Sequence, residues 1–169
     1  MSQERLLRAA AYEHKVPVYS PGLIDSGYGV ALSLLKREGK HIRLDQTQDM
    51  EELGQIADRS RRTGVIYIGG GVPKDTIQLS SVLKSLSNGG DEETPHEYAI
   101  QITTDSPQWG GLSGCTLEEA ISWGKIATNS KKRSTVYCDA TIALPLVTQA
   151  IHEKVKRRTY KPNLSWVFA

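Results

Sequence analysis

Short apolar runs alternate with amphipathic segments along most of the chain. The clearest runs, residues 65–68 and 98–103, are rich in β-branched and aromatic side chains, so they are predicted to form strands. Further strands are predicted at residues 16–20, 42–45 and 136–138, and helices at residues 3–15, 31–36, 49–62, 76–87, 116–125 and 140–155. This alternation of strands and helices without hairpin turns indicates an α/β fold with an open, mostly parallel sheet and helices on both faces.

The size and composition of the chain predict one soluble α/β domain over residues 1–169. A length of 169 residues lies within the range of about 100–200 that single domains occupy. The sequence has no apolar run approaching the roughly 20 residues that a membrane span needs. Its N-terminal segment contains acidic residues and lacks the basic-then-apolar order of a secretion signal, so we expect a cytoplasmic protein.

Charge and cysteine content argue against several functional classes. The net charge of +2 is small and the basic clusters are short, which disfavours nucleic-acid binding. Cys115 and Cys138 are too few and too distant in sequence to form a disulfide framework or a zinc ribbon. The histidines show no spacing typical of a metal site, so no metal is expected.

Small and acidic residues follow several predicted strands, where ligands bind in open α/β sheets. Consecutive glycines let a phosphate or a planar cofactor approach the backbone, although a flexible turn explains the same residues. Asp139 and Asp25 also have two interpretations. Asp139 either accepts hydrogen bonds from the ribose hydroxyls of a cofactor or is the N-cap of the following helix. Asp25 either contacts a cofactor or forms a turn. The candidate ligand-binding residues are Asp25, Gly69, Gly70, Gly71, Thr104, Asp105 and Asp139.

Lys125 is the candidate nucleophile. It follows closely after Trp123, and a lysine nucleophile must lose its proton, which an apolar aromatic environment favours. A lysine that lies along a helix surface over the tryptophan is the simpler alternative. Glu119 also has two interpretations. It forms a capping box with Thr116, at the start of a helix that runs through Lys125, or it binds a substrate ammonium group.

Four motifs resemble the C-terminal half of deoxyhypusine synthase, in the same order and at similar spacing. They cover almost the whole chain. The third is the most specific, because in that family it carries the lysine that receives an aminobutyl group as an imine. The motifs are Ser20-Pro21-Gly22-Leu23-Ile24-Asp25, Tyr67-Ile68-Gly69-Gly70-Gly71-Val72, Glu119-Ala120-Ile121-Ser122-Trp123-Gly124-Lys125-Ile126 and Val136-Tyr137-Cys138-Asp139-Ala140. The resemblance implies a Rossmann-like, NAD-binding architecture.

The same resemblance implies a role for each candidate residue. Lys125 corresponds to the lysine that becomes covalently modified. Glu119, Trp123 and Ser113 correspond to residues beside a polyamine such as spermidine. The implied cofactor is NAD, and the residues that would contact it or lie near it are Gly69, Gly70, Gly71, Thr104, Asp105, Asp139 and Asp25.

Three positions depart from the family pattern, and they fall where the family holds its polyamine. Val30 stands where the family has an acidic residue, Asp75 where it has a histidine, and Leu112 where it has an aspartate. Each charge-assisted hydrogen bond to a bound cation is worth about 1.5–3 kcal/mol. The loss of carboxylates is therefore expected to weaken binding of spermidine.

The resemblance leads to two functional hypotheses. The first is an NAD-dependent transferase that moves an aminobutyl group from a polyamine through an imine on Lys125, to a small amine as in homospermidine formation rather than to a protein lysine. The second is a non-catalytic or partner-dependent subunit that binds NAD and polyamine on the same fold. It follows from the lack of a counterpart to the family's N-terminal half, which supplies much of the NAD site. A partner chain with that half and a homo-oligomer, a tetramer in the family, are the expected partners.

Overall fold

The computed structural model describes residues 9–90, 93–129, 132–156 and 162–168. The chain forms two compact units. One is Asp45–Val155, and the other combines Met1–Leu44 with Lys156–Ala169. The organisation of residues 1–169 as a single domain stays a prediction.

The centre of the larger unit is a parallel sheet. Within the described residues it has three strands, β1 (Gly64–Ile68), β2 (Tyr98–Thr103) and β3 (Arg133–Tyr137), which lie side by side in chain order. Gly64 pairs with Tyr98, and Ala99 with Arg133, in parallel register. The predicted α/β class and parallel sheet are confirmed, and all three strands overlap segments that the apolar pattern predicts.

Helices precede, connect and follow these strands. They are α1 (Gly27–Arg37), α2 (Gln46–Asp58), α3 (Val72–Ser87), α4 (Gly111–Gly114), α5 (Leu117–Ser122) and α6 (Ala140–Lys154). Short 3-10 helices occur at Pro107–Trp109 and Ser165–Phe168. In the described part of the chain, every helix is too short or too polar to span a bilayer.

Two of the predicted strands are wrong. Residues 16–20 and 42–45 are described but form neither a strand nor a helix. A strand needs a neighbour to accept its backbone hydrogen bonds, and the described residues of the smaller unit contain none. Of the helix predicted at residues 3–15, residues 9–13 are helical, and residues 3–8 lie outside the described residues. Helix α1 starts before the predicted residue 31, because Ser26 caps it by accepting a hydrogen bond from the Gly29 N–H.

The two faces of the sheet differ in burial. One face carries Val65, Tyr67 and Ala99, which pack in a buried cluster with side chains of α5 and with Ile126. The opposite face carries Ile66 and Ile68, which are 64% and 54% exposed. Parallel sheets are normally covered on both faces, so a helix layer is expected on this second face. That layer stays a prediction.

Candidate active site around Lys125

Helix α5 ends at Ser122, three residues before Lys125, so the predicted helix through residue 125 is wrong. Gly124 adopts the left-handed conformation, with a φ of 66°. Its N–H donates to the Ile121 carbonyl at 2.9 Å, and the Lys125 N–H donates to the Ala120 carbonyl at 3.0 Å. This pair of bonds is a Schellman motif, which ends a helix at a glycine. Lys125 therefore lies just beyond the helix, and Gly124 is the sequence signal for this end.

The backbone that follows is held by a buried histidine. The His96 N–H donates to the Lys125 carbonyl at 3.0 Å, and the Ala127 N–H donates to the His96 carbonyl at 2.9 Å. The His96 side chain is also fully used, because Nδ1 lies 2.8 Å from Thr63 Oγ1 and Nε2 lies 3.1 Å from the Ile77 carbonyl. Burial lowers the pKa of His96, so the ring is held neutral. His96 thus fixes the position of Lys125, a role that its sequence context does not reveal.

The side chain of Lys125 points to a carboxylate. Its Nζ lies 2.8 Å from Asp75 Oδ1, and the exposed fractions of the two side chains are 14% for Lys125 and 29% for Asp75. Asp75 occupies the first turn of α3, where the helix dipole favours a negative charge. Lys125 Nζ also lies 5.7 Å from the centre of the Trp123 ring, within cation–π range. The tryptophan is itself 74% exposed, so its ring is available to a second cation.

A second lysine, Lys74, lies in the same region but is buried. Its Nζ donates to the Cys115 carbonyl and, at 3.4 Å, to Gln101 Oε1. Burial lowers the pKa of Lys74. The Gln101 amide nitrogen in turn lies 3.4 Å from the Gly69 carbonyl and 3.5 Å from the Ser113 carbonyl. This buried polar network therefore ties the start of α3 to the loops on either side of it.

Sequence reasoning missed Lys74 as a site residue and found Asp75 only as a departure from the family pattern. The helix predicted at residues 76–87 begins at Val72 in the structure, with a proline in its first turn. A proline in the first turn is a known start signal for a helix. Applied here, it would have placed both residues on α3 rather than in the preceding loop.

Glu119 forms the predicted capping box. Its carboxylate accepts a hydrogen bond from the Thr116 N–H at 2.6 Å, and its own N–H donates to Thr116 Oγ1 at 3.1 Å. The bond from the Thr116 N–H lowers the pKa of Glu119, which keeps the side chain ionised. The capping role is confirmed, while the role of Glu119 in binding a substrate ammonium group stays a prediction.

The triple-glycine loop packs against Ser113. A Cβ on Gly70 would lie 2.5 Å from Ser113 Cα, so only glycine permits this approach of the two backbones. By contrast, a Cβ on Gly69 would meet no described atom within 4 Å, and one on Gly71 would lie 3.8 Å from Ser113 Oγ. In this loop, therefore, Gly70 is required for packing, Gly71 is in ordinary contact range of Ser113, and Gly69 has open space beside it.

The residues that follow β1, β2 and β3 gather at one edge of the sheet. The Gly69 N–H donates to the Ile102 carbonyl at 2.7 Å, and the Cys138 N–H donates to the Thr103 carbonyl at 3.0 Å. The ends of β1, β2 and β3 are therefore adjacent. Thr104 and Asp105 follow β2 at this edge and are exposed.

Asp139 also lies at this edge, as the N-cap of α6. Its Oδ1 accepts hydrogen bonds from the Thr141 N–H at 2.8 Å and from Thr141 Oγ1 at 2.7 Å. These bonds lower its pKa, the hydroxyl contact most strongly. Asp25 belongs to the smaller unit, where it lies in the bend at residues 24–26 that precedes α1. The cofactor roles of both aspartates stay predictions.

Comparison with known proteins shows the family. The family model for deoxyhypusine synthase matches residues 1–151. The chain belongs to the deoxyhypusine synthase family. Among its relatives are a probable deoxyhypusine synthase 2 from Methanosarcina mazei, 50% identical over 93% of this chain, and one from Archaeoglobus fulgidus, 54% identical over 84%. A deoxyhypusine synthase-like protein from Nostoc punctiforme is 40% identical over 94% of this chain.

The chain spans less than half the length of these relatives. It covers 45% of the Methanosarcina protein, 46% of the Archaeoglobus protein and 42% of the Nostoc protein. Within this deoxyhypusine synthase family chain, the larger unit contains the lysine-bearing motif, the triple-glycine loop and the strand that precedes Asp139.

Proposed function

We propose that the chain supplies the lysine-bearing part of a deoxyhypusine synthase-like transferase, in which Lys125 carries an aminobutyl group as an imine. The observation that carries this proposal is the placement of the Lys125 amine. It is mostly shielded from water, faces a carboxylate and lies beside an exposed tryptophan ring. A lysine that forms an imine must be confined and oriented toward its substrate, and a solvated surface lysine is not.

In this mechanism the protein binds a cationic polyamine such as spermidine and exchanges amines at one carbon. Trp123 offers its ring face to an ammonium group, Glu119 offers a carboxylate, and Ser113 offers a hydroxyl. The Lys125 amine attacks the oxidised carbon of the donor. The new C–N bond to lysine forms, the bond to the rest of the polyamine breaks, and that fragment leaves as an amine. An acceptor amine then displaces Lys125 by the same exchange.

NAD is the cofactor that we propose for this site. When bound, it would supply the hydride acceptor that oxidation of the donor amine requires and the hydride that completes transfer. Gly69 fits such a group because a Cβ there would meet no described atom within 4 Å, whereas Ser113 lies beside both Gly70 and Gly71. The exposed side chains at the same edge of the sheet would contact ribose hydroxyls; they are Thr104, Asp105 and Asp139. Asp25 is assigned to the cofactor from the family resemblance alone.

A small amine is the acceptor that we propose, as in formation of homospermidine. Val30 and Leu112 stand at two positions where the family has carboxylates, which changes the charge that a polyamine meets. The same reduction in negative charge is expected to lower affinity for spermidine. Comparison of several di- and triamines as donors and acceptors therefore belongs in the first activity assay.

Borohydride trapping tests the transferase proposal. The protein is incubated with NAD and each polyamine, reduced with borohydride, digested and examined by mass spectrometry. We expect an aminobutyl adduct on Lys125 that requires both NAD and an amine, and complete loss of it in Lys125→Arg. Lys40→Arg is the matched control, because Lys40 is also paired with a carboxylate, at 3.0 Å from Glu38, but is well exposed. An adduct that forms equally on Lys40 would contradict a specific site.

A partner-dependent subunit is the second candidate, favoured by the exposed sheet face. Ile66, Ile68 and Ile100 are exposed there among the described residues, and an exposed apolar sheet face is typical of an interaction surface. We propose that it is covered in a homo-oligomer or by polypeptide equivalent to the rest of the relatives' length.

Light scattering after gel filtration, with and without an N-terminal half from a relative, tests this candidate. Ile66→Lys is expected to abolish association, whereas Ile24→Lys, at an exposed isoleucine of the smaller unit, is not. Association that survives Ile66→Lys would exclude this face as the interface.

A further inference from the structure

The ion pair between Lys125 and Asp75 joins two residues that are 50 positions apart in sequence. The pair is partly buried and has the short distance of a charge-assisted hydrogen bond, 2.8 Å. The family pattern has a histidine at the position of Asp75. This chain therefore places a fixed negative charge against the reactive amine at a position where the family pattern has none.

We propose that Asp75 is the counter-ion of the iminium that forms on Lys125. When the neutral Lys125 amine condenses with an aldehyde, a C=N bond forms and the carbonyl oxygen leaves as water. A proton on the imine nitrogen then gives an iminium. That nitrogen is the former Nζ, so its charge remains beside Asp75 Oδ1. The carboxylate stabilises the protonated imine, which is the form that an incoming amine attacks.

Lys74, Glu119 and Cys115 are further titratable groups in the same cluster. Lys74, also on α3, interacts electrostatically with Lys125, but its own Nζ is directed to the Cys115 carbonyl. Glu119 on α5 adds negative charge, although its carboxylate is bound by the Thr116 N–H. The Cys115 thiol has a pKa raised by burial and stays neutral. Among the described residues, Asp75 is the carboxylate that directly contacts Lys125 Nζ.

The inference uses the proposed function to name the imine, but the ion pair can be tested without NAD or a polyamine. The probe is a conjugated aldehyde, 4-(dimethylamino)cinnamaldehyde, whose protonated imine absorbs at longer wavelength than the neutral imine. The difference spectrum between the chain and its Lys125→Arg variant isolates the imine on Lys125. Titration of this spectrum with pH gives the midpoint at which the iminium loses its proton.

We expect Asp75→Asn to lower that midpoint by about 1–3 pH units, the usual effect of removing an adjacent opposite charge. Asp75→Glu is expected to restore most of the shift, since it returns the charge. Glu38→Gln is the matched control: it removes the partner of Lys40, 3.0 Å away in an exposed pair, and is expected to leave the midpoint unchanged. Near-ultraviolet circular dichroism of each variant checks that the fold is retained.

Two results would overturn the inference. One is an equal midpoint in the original chain and in folded Asp75→Asn, and the other is the absence of any imine on Lys125 with the aldehyde. Failure of the transferase proposal alone would give a different pattern. Polyamine and NAD would then give no adduct on Lys125, while the aldehyde would still form an iminium that depends on Asp75.

Discussion

The buried histidine behind the active lysine predicts a specific pH dependence of stability. Replacement of His96 by glutamine is the perturbation. In the folded chain the neutral ring donates from Nε2 to the Ile77 carbonyl and accepts the Thr63 hydroxyl at Nδ1, and it is 2% exposed. Its pKa is lowered from 6.5 by burial. Below pH 6.5 the histidine therefore binds a proton in the unfolded chain but stays neutral in the folded chain. The free energy of unfolding falls as the pH falls from 6.5 toward the folded pKa.

The magnitude follows from the linkage between protons and folding. One proton bound only by the unfolded chain lowers the free energy of unfolding by about 1.4 kcal/mol for each pH unit once the pH is well below 6.5. Between pH 6.5 and 5.5 the loss is at most about 1 kcal/mol, the limit for a folded histidine that stays neutral over this range, because the unfolded histidine is already half protonated at pH 6.5. At pH 7.5, His96→Gln is expected to cost about 1–3 kcal/mol, since the partners of both ring nitrogens lose their bonds.

Urea unfolding at pH 7.5, 6.5 and 5.5 measures both effects in one series. The pH-dependent loss should disappear in His96→Gln. It should persist in His152→Gln, which changes an exposed histidine of α6. Equal losses of stability between pH 7.5 and 5.5 in the original chain and in His96→Gln would contradict this role of His96, because the loss would then come from other groups.

Two glycine substitutions test the geometry that surrounds Lys125. Gly124→Ala is expected to cost about 1–2 kcal/mol in urea unfolding, because its φ of 66° is unfavourable for a residue with a Cβ, whereas Gly22→Ala should be nearly neutral. Gly70→Ala is expected to destabilise the chain by about 1–3 kcal/mol, because its Cβ would lie 2.5 Å from Ser113 Cα; stability equal to the original chain would contradict that contact.

Local signals allowed much of the larger unit to be predicted. The apolar runs predicted β1 and β2 within a residue or two, because the strands of a parallel sheet carry apolar side chains on both faces and so leave a nearly continuous hydrophobic pattern. The capping box at Thr116 and Glu119 was also correct, since its two residues are close in sequence and bond to each other. Features defined by contacts within one or two turns are therefore accessible from sequence.

Features that depend on distant contacts were not predictable in this way. The pairing of Asp75 with Lys125 requires the start of α3 to lie beside the loop after α5, and no local pattern encodes that. The buried role of His96 has the same origin, because Thr63 and Ile77 are 33 and 19 positions away. The strand predicted at residues 16–20 failed for a related reason: strand propensity has no effect without a neighbouring strand to pair with.

The position of Lys125 is set by elements of the larger unit. The Schellman motif directs the chain away from α5, the His96 backbone holds the following residues, and Asp75 fixes the amine. None of these contacts involves residues outside Asp45–Val155. Capacity to form an imine on Lys125 should therefore survive in this unit even where polyamine and NAD binding require further polypeptide. That separation explains why an aldehyde is a sharper first probe of the lysine than a polyamine.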